Sequence, residues 1–205
     1  MKKEKKENDA VQQAIDNFSH QKTILLRQGY SCKEEIVSVL VANVMALLLA
    51  LPLIVAAVFV YGMMWKGITL GMYGNLLVLA LWLISIPIHE GLRGLGWSCF
   101  CKEHFKSIRF GMMWSKLTPY CNCKEPLKFH EYLLGGVLPL IVLGIIPCVI
   151  GIIVGNSNVL SFGVLGVIAA GGDIFICLCL LKHPKSLFLD HPNQCGFVAF
   201  EKTNV

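Results

Sequence analysis

Four long hydrophobic runs, separated by polar segments, dominate the residue pattern of this chain. They extend from Ile36 to Trp65, from Leu70 to Leu92, from Tyr132 to Val154 and from Val159 to Leu181. Each run exceeds the roughly 18 residues that a helix needs to cross the hydrocarbon layer of a bilayer. None carries the polar stripe that a helix of a soluble bundle turns to water, so the pattern predicts membrane-spanning helices rather than a soluble core.

The composition supports this prediction. Hydrophobic residues make up 55% of the 205 residues and the mean hydropathy is +0.63, whereas soluble domains are about 45–50% apolar. We therefore predict an all-α membrane protein with four transmembrane helices, which span about residues 36–65, 70–96, 132–154 and 159–181. In this scheme the membrane domain of residues 36–181 contains a polar loop, 97–131. An N-terminal segment, 1–35, precedes the domain and a tail, 182–205, follows it.

Lysine and arginine are concentrated in some of the polar segments. Segment 1–35 holds seven of these residues, and the loop from Arg93 to Glu131 holds another seven. The short links 66–69 and 155–158 hold one and none. Because cytoplasmic loops carry the excess of basic residues, this asymmetry predicts that both termini and the middle loop are cytoplasmic. The formal net charge of +5 reflects the same bias, and no nucleic-acid-binding motif accompanies it.

Local signals refine this scheme. The runs from Ser107 to Trp114 and from Leu117 to Cys123 are rich in β-branched and aromatic residues and predict a small cytoplasmic β-hairpin between helices 2 and 3, with its turn at Ser115-Lys116. Ser31-Cys-Lys-Glu34 resembles a capping box that would start the first membrane helix near Cys32. Trp97 fits the aromatic belt of a membrane interface.

The middle loop also holds two Cys-x-Cys pairs, Cys99/Cys101 and Cys121/Cys123. A four-thiolate zinc site is one interpretation, although structural zinc sites usually separate the two cysteines of a pair by two to four residues. Disulfides are rare in the cytoplasm. Reduced loop cysteines are therefore the favoured interpretation.

An ionisable pair, His89-Glu90, lies near the end of the second hydrophobic run. A charge at membrane depth costs roughly 2.5–3.5 kcal/mol, so such residues mark functional sites. The pair opens the zinc-protease pattern His-Glu-x-x-His, in which two histidines one helical turn apart bind zinc and the glutamate acts as general base. Here the residue one turn after His89 is Arg93, whose guanidinium has no lone pair for a metal.

Asp173 is the natural partner for His89. Apart from Glu90, it is the only acidic residue in the last three quarters of any hydrophobic run. His89 is eight residues from Trp97 and Asp173 is eight residues from Leu181, the cytoplasmic ends of their helices. At about 1.5 Å per residue, both lie about 12 Å from that end. We therefore expect the two side chains to pair or to share an ion.

Three arrangements of Arg93 follow from its chemistry. It could form a bidentate ion pair with Asp173 or Glu90, in the place that a metal would take. It could extend to the cytoplasmic surface and serve topology alone. It could also border an unusual metal site built by other residues.

Motifs in a fixed order along residues 30–200 support a family resemblance. They are His89-Glu90, Thr118-Pro-Tyr-Cys121, Lys124-Glu-Pro126, Leu138-Pro139, Gly172-Asp173, Asp190 and Gly196-Phe197. With these motifs the chain resembles the bacterial membrane-protein family of putative zincin peptidases, which is related in layout to site-two-type intramembrane zinc metalloproteases.

The resemblance implies an enzyme of the bacterial cytoplasmic (inner) membrane, with zinc held by His89 and Asp173 and with Glu90 as general base. Its substrate would be a membrane protein or a peptide at the bilayer. The second histidine of the family falls at position 93, where this chain has Arg93, so activity and bound zinc stay open. The alternative is a catalytically inactive scaffold that binds membrane partners on the same fold.

Overall fold

Helices make up most of the structure, a computed structural model that describes residues 2–65, 67, 72–113, 118–192 and 194–203. The α-helices are α1 (Lys2–Arg27), α2 (Val39–Met64), α3 (Met72–Ser98), α4 (Phe129–Pro139), α5 (Ile146–Val154), α6 (Ser157–Ala169) and α7 (Gly171–Leu180). The strands are β1 (Tyr30–Ile36), β2 (Ile108–Met113), β3 (Thr118–Cys123), β4 (Leu127–Lys128), β5 (Leu187–Asp190) and β6 (Gly196–Lys202).

Three of the described helices are long and apolar enough to cross a membrane. They are Leu40–Met64 within α2, the whole of α3, and the continuous segment Phe129–Val154. Helices α6 and α7 meet at an angle of 44° and add a fourth span if the pair is counted as one. Large apolar side chains cover the outer faces of α2 and α3, as a lipid environment requires. The described residues therefore contain three or four candidate spans, where the sequence predicted four.

Two prolines shape the third candidate span. Pro139 ends α4, and a π-helical segment, Leu140–Ile145, continues directly into α5, which begins at Ile146 just before Pro147. Proline lacks the backbone N–H that an α-helix requires, and the wider π turn accommodates that loss. The π-helical segment packs against α6, so the irregular turn lies inside the bundle.

The break between α6 and α7 coincides with a close approach of α7 to α2. A Cβ atom added at Gly171 would lie 2.5 Å from the carbonyl oxygen of Ala46. Only glycine allows this contact between the two backbones. The close approach places Asp173, in the first turn of α7, inside the bundle.

A four-stranded antiparallel sheet, in the order β1-β6-β5-β4, joins the two ends of the chain. Tyr30 pairs with Lys202, and Leu187 pairs with Phe200. The predicted start of the first membrane helix near Cys32 is wrong, because this residue lies in β1. Helix α2 begins later, and the hydroxyl of Ser38 caps it by accepting a hydrogen bond from the backbone N–H of Val41 at 3.3 Å.

The predicted hairpin is present as the antiparallel pair β2–β3, in which Ile108 is opposite Cys123. Residues 114–117, which include the predicted turn at Ser115-Lys116, lie outside the described residues. The hairpin packs against α3. This contact brings β3 close to the helix that carries His89-Glu90.

Candidate functional site

Asp173 joins α3 to α7 through both of its carboxylate oxygens. His89 Nε2 lies 2.8 Å from Asp173 Oδ2, and Arg93 Nη1 lies 3.0 Å from Asp173 Oδ1. A carboxylate only accepts hydrogen bonds, so Nε2 of His89 carries the proton in this contact. The side chains of His89, Asp173 and Arg93 are 11%, 8% and 18% exposed. The structure thus brings together three of the residues that the sequence singled out, and Arg93 has the ion-paired arrangement.

Arg93 is held in place by a buried tryptophan one turn further along α3. The guanidinium carbon lies 4.8 Å from the ring centre of Trp97, within the range of a cation–π contact. The indole N–H of Trp97 donates to the backbone carbonyl of Tyr132 at 3.0 Å. A side chain at Gly135 would collide with this ring. The prediction that Trp97 lies in an interfacial belt is wrong, since the residue is 0% exposed.

Glu90 faces a different part of the site. Its carboxylate interacts with the backbone of Cys121 on β3. One of its oxygens, Oε2, is buried and has no hydrogen-bond partner among the described residues. An unsatisfied buried acceptor costs about 1–3 kcal/mol. Such an oxygen is suited to accept a hydrogen bond from a bound group.

A cavity of about 130 Å³ lies beside this glutamate. Its wall consists of Trp82, Ser85, Ile86, His89, Glu90, Pro119, Leu143 and Ala169. Most of these residues are apolar, and the polar groups come from α3. The volume approaches the roughly 150 Å³ of an apolar protein cavity that admits benzene. The cavity therefore has the size for one apolar side chain, with hydrogen-bonding groups beside it.

A second polar cluster lies between the sheet, α4 and the hairpin. Asp190 accepts hydrogen bonds from the hydroxyl of Tyr132 at 2.8 Å and from the side-chain amide of Asn122 at 2.9 Å. Burial raises the pKa of Asp190 to about 6, although these hydrogen bonds oppose the shift. The sequence marked Asp190 as a family residue without a role. No local pattern pointed to Asn122 or Tyr132, because strand pairing and helix docking bring them together.

This cluster predicts a pH dependence of stability. The pKa of Asp190 in the folded state exceeds the ordinary value of 3.8, so the folded state binds this proton more tightly than the unfolded state. The free energy of unfolding should therefore fall as the pH rises from about 4 to about 6, by on the order of 3 kcal/mol. In detergent, the melting temperature of Asp190→Asn should rise relative to that of the wild type as the pH increases over that interval. Parallel curves for the two proteins would contradict this prediction.

The donor atoms at the site do not fit a zinc ion. Among the described residues no group of three or more His, Cys, Asp or Glu side chains could hold a metal. Both oxygens of Asp173 already accept from N–H groups, and Arg93 adds a fixed positive charge. Zinc needs lone pairs from three or four protein ligands. The two Cys-x-Cys pairs do not form a thiolate site either, because Cys99 is exposed whereas the other three cysteines are buried.

Comparison with known proteins identifies the family. Residues 82–188, about half of the chain, match the family described as putative zincin peptidase. The chain belongs to this family. The matched segment begins in α3 and ends in β5, so it includes His89, Glu90, Arg93 and Asp173. No curated protein and no solved structure matches the chain.

Family membership confirms the resemblance recognised in the sequence, and it implies zinc binding and metallopeptidase chemistry for the family in general. The fold is mostly helical, with three or four candidate spans among the described residues, but its antiparallel sheets show that the all-α prediction was too narrow. It brings His89 and Asp173 together. The chemistry at position 93 differs, because an arginine takes the place of the second histidine of the His-Glu-x-x-His pattern. The roles of His89 and Asp173 as metal ligands and of Glu90 as general base therefore stay predictions.

Proposed function

We propose that this protein is a non-proteolytic member of its family, a membrane-embedded pseudopeptidase. In this proposal the cavity beside Glu90 binds a segment of a membrane protein or peptide without cleaving it. The observation that carries the proposal is the 3.0 Å contact between Arg93 Nη1 and Asp173 Oδ1. In this proposal the permanent cation of Arg93 occupies the position at Asp173 where the zinc of a metallopeptidase would bind.

The charge of Arg93 supports a metal-independent site. The guanidinium stays protonated in proteins and has donors but no acceptor. A zinc ion beside it would face electrostatic repulsion and would compete with it for Asp173. Because the pair is largely buried, separating it would leave two poorly solvated charges, which costs about 3–5 kcal/mol. A metal could therefore bind Asp173 only by breaking its stabilising ion pair with Arg93.

The surroundings of Glu90 support a binding role. In metallopeptidases this glutamate takes a proton from the metal-bound water. Here Glu90 lines a cavity whose wall is mostly apolar, and its buried oxygen, Oε2, has no hydrogen-bond partner among the described residues. A transmembrane segment with one hydroxyl, amide or indole N–H among apolar residues would match both features. Such donors associate favourably across helices in a membrane.

The proposed setting is the bacterial cytoplasmic membrane, with both termini and the hairpin in the cytoplasm. The distribution of lysine and arginine supports this orientation, since segment 1–35 and the middle loop carry most of the basic residues. The partner in this proposal is a protein segment within the bilayer, and no nucleic acid is involved.

A second candidate is an active intramembrane zinc metallopeptidase. The family match and the intact His89-Glu90 pair favour it. It requires Arg93 to leave Asp173, so that the carboxylate can bind zinc together with His89. A third ligand would then have to come from another part of the chain.

Photo-cross-linking in living cells tests the binding proposal. A residue with a small diazirine side chain, introduced in place of Ile86, would lie in the wall of the cavity. The same residue in place of Leu79, an exposed position on α3, serves as the matched control. We expect a discrete protein adduct from position 86 and only lipid adducts from position 79. The adduct should disappear when Ser85→Trp fills the cavity.

The outcomes of this experiment separate the two candidates. Identical adducts at both positions, or an adduct that persists in Ser85→Trp, would contradict a binding role of the cavity. A cross-linked partner that is recovered as a cut fragment, and as an intact chain in His89→Ala, would favour the metallopeptidase.

A further inference from the structure

Two buried cysteines are in contact just beyond the C-terminal end of α3. The sulfur atoms of Cys101 and Cys123 are 3.4 Å apart, and the two residues are 4% and 1% exposed. Cys101 follows the end of α3 by three residues, whereas Cys123 is the last residue of β3. The pair therefore connects the helix that carries His89, Glu90 and Arg93 to the strand beside it.

The backbone on both sides of this pair is fixed by one carboxylate. Glu125 accepts a hydrogen bond from the backbone N–H of Lys102 at 3.1 Å and another from the hydroxyl of Ser107. The thiol of Cys123 contacts the backbone carbonyl of Glu125 at 3.4 Å. These contacts hold the turn after α3 against the end of β3, so the two sulfur atoms stay close.

We propose that Cys101 and Cys123 form an intramolecular disulfide when a peroxide oxidises the protein. A disulfide has an S–S length of about 2.05 Å, so the sulfur atoms need to approach by roughly 1.4 Å. The inference is independent of whether the cavity beside Glu90 binds a partner.

Cys101 is the first nucleophile of this reaction. The short contact with Cys123 lowers the pKa of Cys101. The same contact, together with burial, raises the pKa of Cys123. Since the thiolate is the reactive form, Cys101 reacts before Cys123.

The two steps balance with hydrogen peroxide as oxidant. The thiolate of Cys101 attacks one peroxide oxygen, the O–O bond breaks, and a sulfenic acid and one water form. The sulfur of Cys123 then attacks the sulfenic sulfur, so the S–S bond forms and the hydroxyl leaves as a second water. Two thiols are oxidised by two electrons in total, the peroxide is reduced to two waters, and the two thiol protons end in those waters.

The disulfide would stabilise the site in its present geometry. Strand β3 holds Cys121, whose backbone contacts Glu90, and Asn122, whose amide holds Asp190. A covalent link between α3 and β3 fixes these contacts. Disulfides that form in the cytoplasm are usually transient and redox-sensing, and the reduced pair is ready to respond to peroxide.

The experiment uses the full chain in detergent micelles. The protein is reduced, separated from the reductant, treated with hydrogen peroxide, denatured and labelled with a maleimide that adds mass to each remaining thiol. Seven of the nine thiols should be labelled after treatment. Cys101→Ser and Cys123→Ser should each prevent disulfide formation, whereas Cys99→Ser, the exposed neighbour, should leave it unchanged.

Peptide mapping assigns the bond. Trypsin cleaves after Arg93, Lys102 and Lys124, so Cys99 stays with Cys101 in one peptide and Cys121 stays with Cys123 in another. The linked pair of peptides should therefore still form in the combined variant Cys99→Ser/Cys121→Ser. Loss of the linked peptides in that variant, or peroxide-treated wild type that keeps both thiols, would overturn the proposal. Mapping of the wild type provides this test even if a serine variant does not fold.

Discussion

Replacement of Arg93 by alanine is expected to lower the free energy of unfolding by about 3–5 kcal/mol. The variant leaves the carboxylate of Asp173 in the bundle, where its side chain is 8% exposed, without its cation. It also removes the guanidinium from the face of Trp97. For a chain of this size, the loss corresponds to a melting temperature lower by on the order of 10 °C. Thermal unfolding in detergent measures it.

The matched control is Lys106→Ala, which removes an exposed cation outside the candidate spans. It should change the free energy of unfolding by less than about 0.5 kcal/mol. The double variant Arg93→Ala/Asp173→Asn should be more stable than the sum of the two single changes predicts, because each residue is the partner of the other. An Arg93→Ala effect as small as that of Lys106→Ala would show that Arg93 serves topology alone.

Replacement of Arg93 by histidine is expected to create a zinc site. A histidine at this position lies one helical turn from His89 and frees Asp173 from its ion pair, so that three nitrogen or oxygen ligands become available. Zinc in the purified variant should rise to about one ion per chain. Elemental analysis after dialysis measures the content, and competition with a chromogenic chelator measures the affinity.

Arg93→Gln is the control for this experiment, since it removes the positive charge without adding a ligand that zinc prefers. Its zinc content should stay far below one ion per chain. If Arg93→His binds no more zinc than Arg93→Gln, the site has lost more than its second histidine.

The candidate spans and the hairpin could be predicted because each depends on local pattern. In a bilayer, a hydrophobic run of 20 or more residues can adopt few structures, because its backbone polar groups must be hydrogen-bonded internally. The proximity of His89 and Asp173 followed from their equal depth in separate runs, which is a geometric argument available from residue counts. The structure brings these two side chains to 2.8 Å.

Other features depend on contacts that no local pattern records. Strand β1 forms because Tyr30 pairs with Lys202 at the far end of the chain. Trp97 is buried because Gly135 leaves room for its ring. The break between α6 and α7 accompanies the close approach of Gly171 to α2. Each depends on residues that are distant in sequence, so a pattern read along one segment predicts the wrong element or the wrong environment.

The arrangement of Arg93 is an intermediate case. Its chemistry limits the options to an ion pair, an extended surface position or a neighbouring metal site. The choice among them depends on whether a carboxylate lies within reach of the guanidinium, and only the packing of α3 against its neighbours determines this. The structure places Asp173 within reach.

The zinc content of the wild-type protein, purified without chelators from zinc-supplemented cells, tests most directly whether Arg93 takes the place of a metal at Asp173. We predict zinc well below one ion per chain, and no change in that value in His89→Ala. One tightly held zinc ion per chain that is lost in His89→Ala would contradict the proposal and would favour the second candidate, an active zinc metallopeptidase.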